Sequence, residues 1–197
     1  MKKRTVSELA FEAFCDANAL PFERIEECAE PTPDYILRIN SKAIYVEVKQ
    51  IDEDTNFSST LMTRSPGSHI RAKIDQARHQ IRAAAQQGFP AIMLVYNNLD
   101  PLQMFGTDSH DFLAAMYGDL TMHASRTTRA LLPSIMHDRN QSFRDVKNNQ
   151  FSAIGWLHRR ENGLAIHLYE NTFASVPLEF DSLPAFISFN RVEIEYD

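Results

Sequence analysis

The sequence predicts an α/β fold, a mixed central sheet flanked by helices, on three observations. Residues 35–39 and 43–51 alternate in side-chain character around Asn40-Ser41, the mark of two strands joined by a tight turn. Ile70, Ile74, Ala77, Ile81 and Ala84 recur at helical spacing. Residues 91–96 form an unbroken apolar run between Pro90 and Asn97-Asn98, as a strand buried on both faces requires. A strand pair, a helix and a buried strand in that order build a mixed sheet. The chain of 197 residues suits one domain, 1–197, and is short for two.

The elements follow in order. A helix is expected over 5–19, with Leu9, Ala10, Ala13, Phe14 and Ala17 as its apolar stripe and Glu8, Glu12 and Asp16 on another. Thr5 and Glu8 have the spacing of a capping box. A short strand at 22–25 precedes an acidic, proline-marked loop. After the strand pair, 52–68 is a polar loop, and a helix starts with Ser68 as its cap and ends at Gly88. Beyond the apolar strand, 109–120 and 128–136 are expected as helices, and 152–157 and 164–169 as strands across Glu161-Asn162-Gly163. Trp156 is expected in the core.

Composition narrows the function. No apolar run approaches the roughly 18 residues of a membrane span. Glu8, Glu12 and Asp16 interrupt any signal core behind the basic start Lys2-Lys3-Arg4. Cys15 and Cys28, the only two cysteines, lack metal-knuckle spacing, so a cytoplasmic protein with free thiols is expected. The net charge of −6 argues against bulk attraction to nucleic acid. It is strongly segregated, however. Segments 55–90 and 126–160 carry balances of +4 and +5, which leaves −15 for the rest of the chain. Such a protein can offer basic surfaces to an anionic partner, although two solvated helix faces would explain the same charges.

The strand pair carries the chemistry. If Asn40-Ser41 is a two-residue turn, Ile39 faces Lys42, and Asp34 falls opposite Glu47. Glu47 and Lys49, two apart, share that face, with Ile44, Val46 and Val48 on the other. Two carboxylates and an ammonium at one spot suit Mg²⁺ or Mn²⁺, hard cations that take oxygen ligands. A solvent-facing hairpin with a cross-strand Asp–Lys pair would use the same residues.

Pro33-Asp34, twelve residues, then Glu47-Val48-Lys49 resembles the PD-(D/E)XK signature of the restriction-endonuclease-like nucleases. The resemblance spans about residues 5–97 and includes the helix–hairpin–helix–strand order. It implies a restriction-endonuclease-like core, with the C-terminal half extending or covering the sheet. It also implies a helix glutamate, for which Glu8, followed by Ala10, Phe11 and Phe14, fits better than Glu12. The implied activity is metal-dependent phosphodiester hydrolysis, on DNA more than RNA, with catalytic Glu8, Asp34, Glu47 and Lys49. The metal would be held by Asp34, Glu47 and the Val48 carbonyl, and a homodimer would serve double-strand cutting. The same fold also serves catalytically silent modules that bind nucleic acid or protein, and the site would equally suit another phosphoester.

Arg64, Arg71, Lys73, Gln76, Arg78 and Gln80 are the candidate nucleic-acid contacts, from the polar loop and the two polar stripes of the following helix. Gln50 should point away from Glu47 and Lys49. Asp108-Ser109-His110-Asp111 holds the residue types of a hydrolase triad, but contiguous residues do not fold onto one another as a triad must. His137-Asp138, His158 and Arg159-Arg160 fit solvated positions as well as sites. No phosphate-binding GxxxxGK[ST] loop is present.

Overall fold

The computed structural model describes residues 3–26, 29–52 and 65–192. The first helix, α1 (Val6–Ala17), opens with a complete capping box: Glu8 N–H donates to the Thr5 hydroxyl at 3.2 Å, and Thr5 N–H to the Glu8 carboxylate at 2.6 Å. Its buried face is Ser7, Glu8, Ala10, Phe11, Phe14 and Cys15. This corrects the expected stripe, since Leu9 is 50% exposed and Ala13 and Ala17 are exposed too. The cause is Phe11, whose ring lies 4.8 Å from that of Tyr35. Burying that aromatic rotates the helix away from the Leu9 side.

β1 (Phe22–Arg24), β2 (Tyr35–Ile39) and β3 (Lys42–Ile51) form an antiparallel meander. Ile39 pairs with Lys42 and Tyr35 with Val46, as a two-residue turn demands. Asn40 and Ser41 both take positive φ, at 49° and 65°, the geometry whose twist matches flanking strands.

α2 (Ser68–Gln86) buries Ile70, Ile74, Ala77, Ile81 and Ala84 and returns the chain to β4 (Ala91–Asn97), which is buried throughout. The residue ahead of the helix is Gly67, at φ 73°, with no side-chain cap; Ser68 is already helical. Glycine is required at 67, because a Cβ would lie 2.6 Å from the Ala115 amide nitrogen. β4 runs parallel to β3.

α3 (Ser109–Tyr117) ends three residues before its expected limit. The chain then forms β5 (Asp119–Ala124) and β6 (Leu131–Arg139), a separate two-stranded ribbon. The helix expected over 128–136 is therefore wrong. Pro133 lacks the N–H that a helix interior needs, and a strand partner was available in β5.

β7 (Ala153–Arg160) pairs parallel with β4, β8 (Gly163–Glu170) antiparallel with β7, and β9 (Ile187–Asn190) parallel with β8. The sheet is mixed and seven-stranded, in the order β1-β2-β3-β4-β7-β8-β9, with strands from both halves of the chain. One face packs Ile44, Val46, Val48, Ile92 and Leu94 against Phe11 and Phe14 of α1. The other packs Ile51, Met93 and Val95 against α2 and α3. Trp156 is only half-buried and stacks on His158, ring centres 3.8 Å apart. Among the described residues no helix is long and apolar enough to cross a membrane.

Candidate active site

Asp34 ends the proline-marked loop, one residue before β2. Its carbonyl accepts from Ile25 N–H at 2.9 Å, which ties it to the end of β1, and its Oδ2 accepts from Val48 N–H at 2.8 Å. The pairing of Tyr35 with Val46, carried one step further, sets Asp34 opposite Glu47. Glu47 and Lys49 occupy the α2 side of β3, beside Met93 and Val95 of β4. Val48 turns its side chain into the α1-side core while its amide holds Asp34. The strand alternation thus puts the acid, the second acid and the lysine on one face.

The pair is electrostatically crowded. Glu47 is 2% exposed, and burial together with the Asp34 charge pushes its carboxyl up to about 7, against partial relief from Lys49. Its Oε1 meets Lys49 Nζ at 2.5 Å, whereas Oε2 is buried with no hydrogen-bond partner among the described residues. Burial also raises Asp34, more than the Val48 N–H and Lys49 lower it. Both shifts have the sign of a site short of positive charge.

Glu8 approaches from α1. Burial works to raise its carboxyl, but hydrogen bonds from Thr5 and Arg24 bring it below its ordinary value. Arg24 of β1 donates to Glu8 Oε1 at 3.1 Å. The Glu8 charge reaches Asp34; Glu12 instead accepts from the Tyr35 hydroxyl at 2.9 Å and pairs with Arg4 at 3.0 Å. Capping the helix and facing the acidic site are thus both done by Glu8.

Two positions carry more of the geometry than the sequence suggested. Gln50 does point away from Glu47, and its Oε1 accepts from Ser7 N–H at 2.7 Å, which fastens the start of α1 to β3. Its amide also donates to Asp52. Arg24 orients Glu8 from a strand only three residues long. The strand alternation at Gln50 was readable beforehand; nothing local pointed to Arg24.

The candidate nucleic-acid contacts divide. Lys73 is half-buried on the carboxylate side, and its ammonium is pushed down by burial and by Lys49, against the pull of Asp52. Gln76 is exposed and Gln80 partly so. Arg71 is committed inside the fold: its guanidinium donates to the Ala114 carbonyl at 3.0 Å, to Asp119 at 3.3 Å and to the Pro66 carbonyl at 2.5 Å. Arg78 is exposed on that same flank of the helix. Arg64 lies outside the described residues. Asp108 and Asp111 make the capping box of α3.

Hard oxygen donors from Asp34 and Glu47, one of them an unpartnered buried atom, fit a small divalent cation. Among the described residues no group of three or more His, Cys, Asp or Glu forms a ready cage. Two carboxylates completed by water and substrate phosphate is the usual provision for Mg²⁺. No family model matches the chain, and no curated protein or solved structure matches it either.

Proposed function

We propose that this chain is a divalent-metal-dependent nuclease with a restriction-endonuclease-like core, hydrolysing phosphodiester bonds in DNA in preference to RNA. The observation that carries this is Asp34, Glu47 and Lys49 on one face of a hairpin, with a buried Glu47 oxygen left without a partner among the described residues. Asp34, Glu47 and the Val48 carbonyl would hold Mg²⁺ or Mn²⁺. The bound cation would neutralise phosphate charge and make water a stronger acid. Lys49 brings an ammonium to the oxygens that gain charge as the phosphorus–oxygen bond to the leaving group breaks. The water oxygen would form the new bond to phosphorus as that bond breaks, giving its proton to solvent, and the leaving oxygen would take a proton from solvent. Glu8, anchored by Thr5 and Arg24, orders water on the α1 side. Lys73 lies where it can meet an adjoining phosphate.

Cutting both strands calls for two such sites, so we extend the proposal to a homodimer. We extend it also to the cytoplasm, where a buried free thiol such as Cys15 stays reduced.

One observation favours a catalytically silent binding module instead. Glu47 already pairs with Lys49, and Glu8 with Arg24, so both charges have protein partners without metal. Incubation with plasmid, duplex, single-stranded DNA and RNA in Mg²⁺ or Mn²⁺ separates the two. Chelator-sensitive cleavage of DNA, slower on RNA, is expected; binding without cleavage in either metal would leave the silent module.

A further inference from the structure

α2 presents its basic residues in two directions. Arg78 and Arg82 lie about 140° and 180° around the helix from Lys73, on the flank turned away from the carboxylates. There they line a cleft of about 450 Å³ with Lys147, Asn149, Gln150 and Ser175. Arg78 and Arg82 come from the first basic segment of the sequence and Lys147 from the second, so folding joins the two segments here.

The walls are held by their own bonds. Gln150 donates to the Arg78 carbonyl at 3.4 Å, the Ser175 hydroxyl to the Asn149 carbonyl at 3.1 Å, and Asn149 to the Asp145 carbonyl at 2.9 Å. Lys147 sits in a tight turn whose backbone exchanges hydrogen bonds with Arg144 at 3.0 and 3.1 Å. The three cationic heads are exposed, and none forms an ion pair with another described residue. Asp75 and Asp145, the acids nearest to them in sequence, do not pair with them, and no acid lines the cleft. Three unpaired cations in an otherwise acidic chain create a local positive potential with amide and hydroxyl groups beside it.

We propose that this cleft is a phosphate-binding site separate from the carboxylate site. Its ligand is a phosphate group, carried either by a nucleic-acid backbone or by a small phosphorylated compound. The first source rests on the nuclease reading above, as a remote hold on the same substrate; the second does not.

The test uses the full chain with Glu47→Gln, in chelator, so that binding is read without cleavage. Arg78→Gln, Arg82→Gln and Lys147→Gln are combined in this background, and Lys73→Gln is made separately for comparison. All four side chains lie outside the core, and unchanged unfolding temperatures verify the fold. Duplex affinity is measured against salt by fluorescence anisotropy, and pyrophosphate and nucleoside triphosphate binding by calorimetry. Each phosphate contact contributes about 0.9 to the log–log salt slope on duplex DNA, so the triple variant should lose up to nearly three. A flattened slope supports the cleft with nucleic acid as source. Loss of pyrophosphate or triphosphate binding with an unchanged duplex slope supports it with a small phosphate as source. If the triple variant matches its parent in both measurements, the cleft is a solvated basic surface and the proposal falls. None of these outcomes depends on whether the carboxylate site cleaves.

Discussion

Glu47 concentrates the cost and the use of the site in one carboxyl group. Held at about 7 against an ordinary 4.5, it keeps a proton in the fold that the unfolded chain releases. Its contribution to stability is therefore fully present below about pH 4.5 and is lost as the pH rises through 7. At about 1.4 kcal/mol per pH unit the loss reaches up to about 3 kcal/mol. Denaturant unfolding in chelator at pH 5 and pH 8 should show the wild type weakening across that interval and Glu47→Gln weakening less. Equal pH dependence in the two proteins would mean that Glu47 titrates normally. Metal should act in the opposite direction, because it binds the deprotonated pair. At pH 8, Mg²⁺ or Mn²⁺ at 100 times its dissociation constant should stabilise the wild type by about 2.7 kcal/mol and Glu47→Gln far less. A metal-insensitive unfolding midpoint in the wild type would remove the cation from the account.

At the scale of elements, the site depends on how α1 and α2 are seated. α1 is fixed at its start by the Thr5 cap and by Gln50, both acting on the turn that holds Glu8. Thr5→Ala should cost about 1 kcal/mol of stability, measured by thermal unfolding, because it removes the hydroxyl that accepts from Glu8 N–H, while the backbone N–H at position 5 still donates to the Glu8 carboxylate. At the start of α2, Gly67→Ala combines a left-handed φ with a Cβ against α3, and it should cost more than about 1 kcal/mol. A neutral Gly67→Ala would show that α2 and α3 are less closely packed than their backbones indicate.

Elements with local signals were legible in the sequence. The turn at Asn40-Ser41 and the alternation around it specify β2, β3 and their register, and five apolar residues at helical spacing specify α2. β5, β6 and β9 were not legible. Pro133 spoils the helical pattern without announcing a strand, and β9 acquires its strand character by pairing with β8. Arg71 has the same difficulty, since two of its three partners lie 43 and 48 residues away.

Across the whole molecule, the central parallel strands β3, β4 and β7 form a buried floor, and the two layers of helix give its faces different work. The α2 side of the β2–β3 hairpin carries the acid pair and lysine, and α2 parts this site from the basic cleft. The placement of Asp34 opposite Glu47 followed from the turn alone. The division of the basic residues needed the fold, because it depends on which flank of α2 meets the loop around Lys147.

The most direct measurement is the cleavage rate of an end-labelled DNA duplex in Mg²⁺, compared between the wild type and Asp34→Ala. Asp34 is half-buried one residue before β2 and takes no part in the hydrophobic core, so the variant should fold, as its unfolding midpoint will verify. The wild type should cut, cease to cut in chelator, and exceed Asp34→Ala by at least about 100-fold, the scale on which a single charged group supports such a transition state. Cleavage by Asp34→Ala at the wild-type rate would contradict the assignment of the Asp34–Glu47–Lys49 face as the catalytic centre.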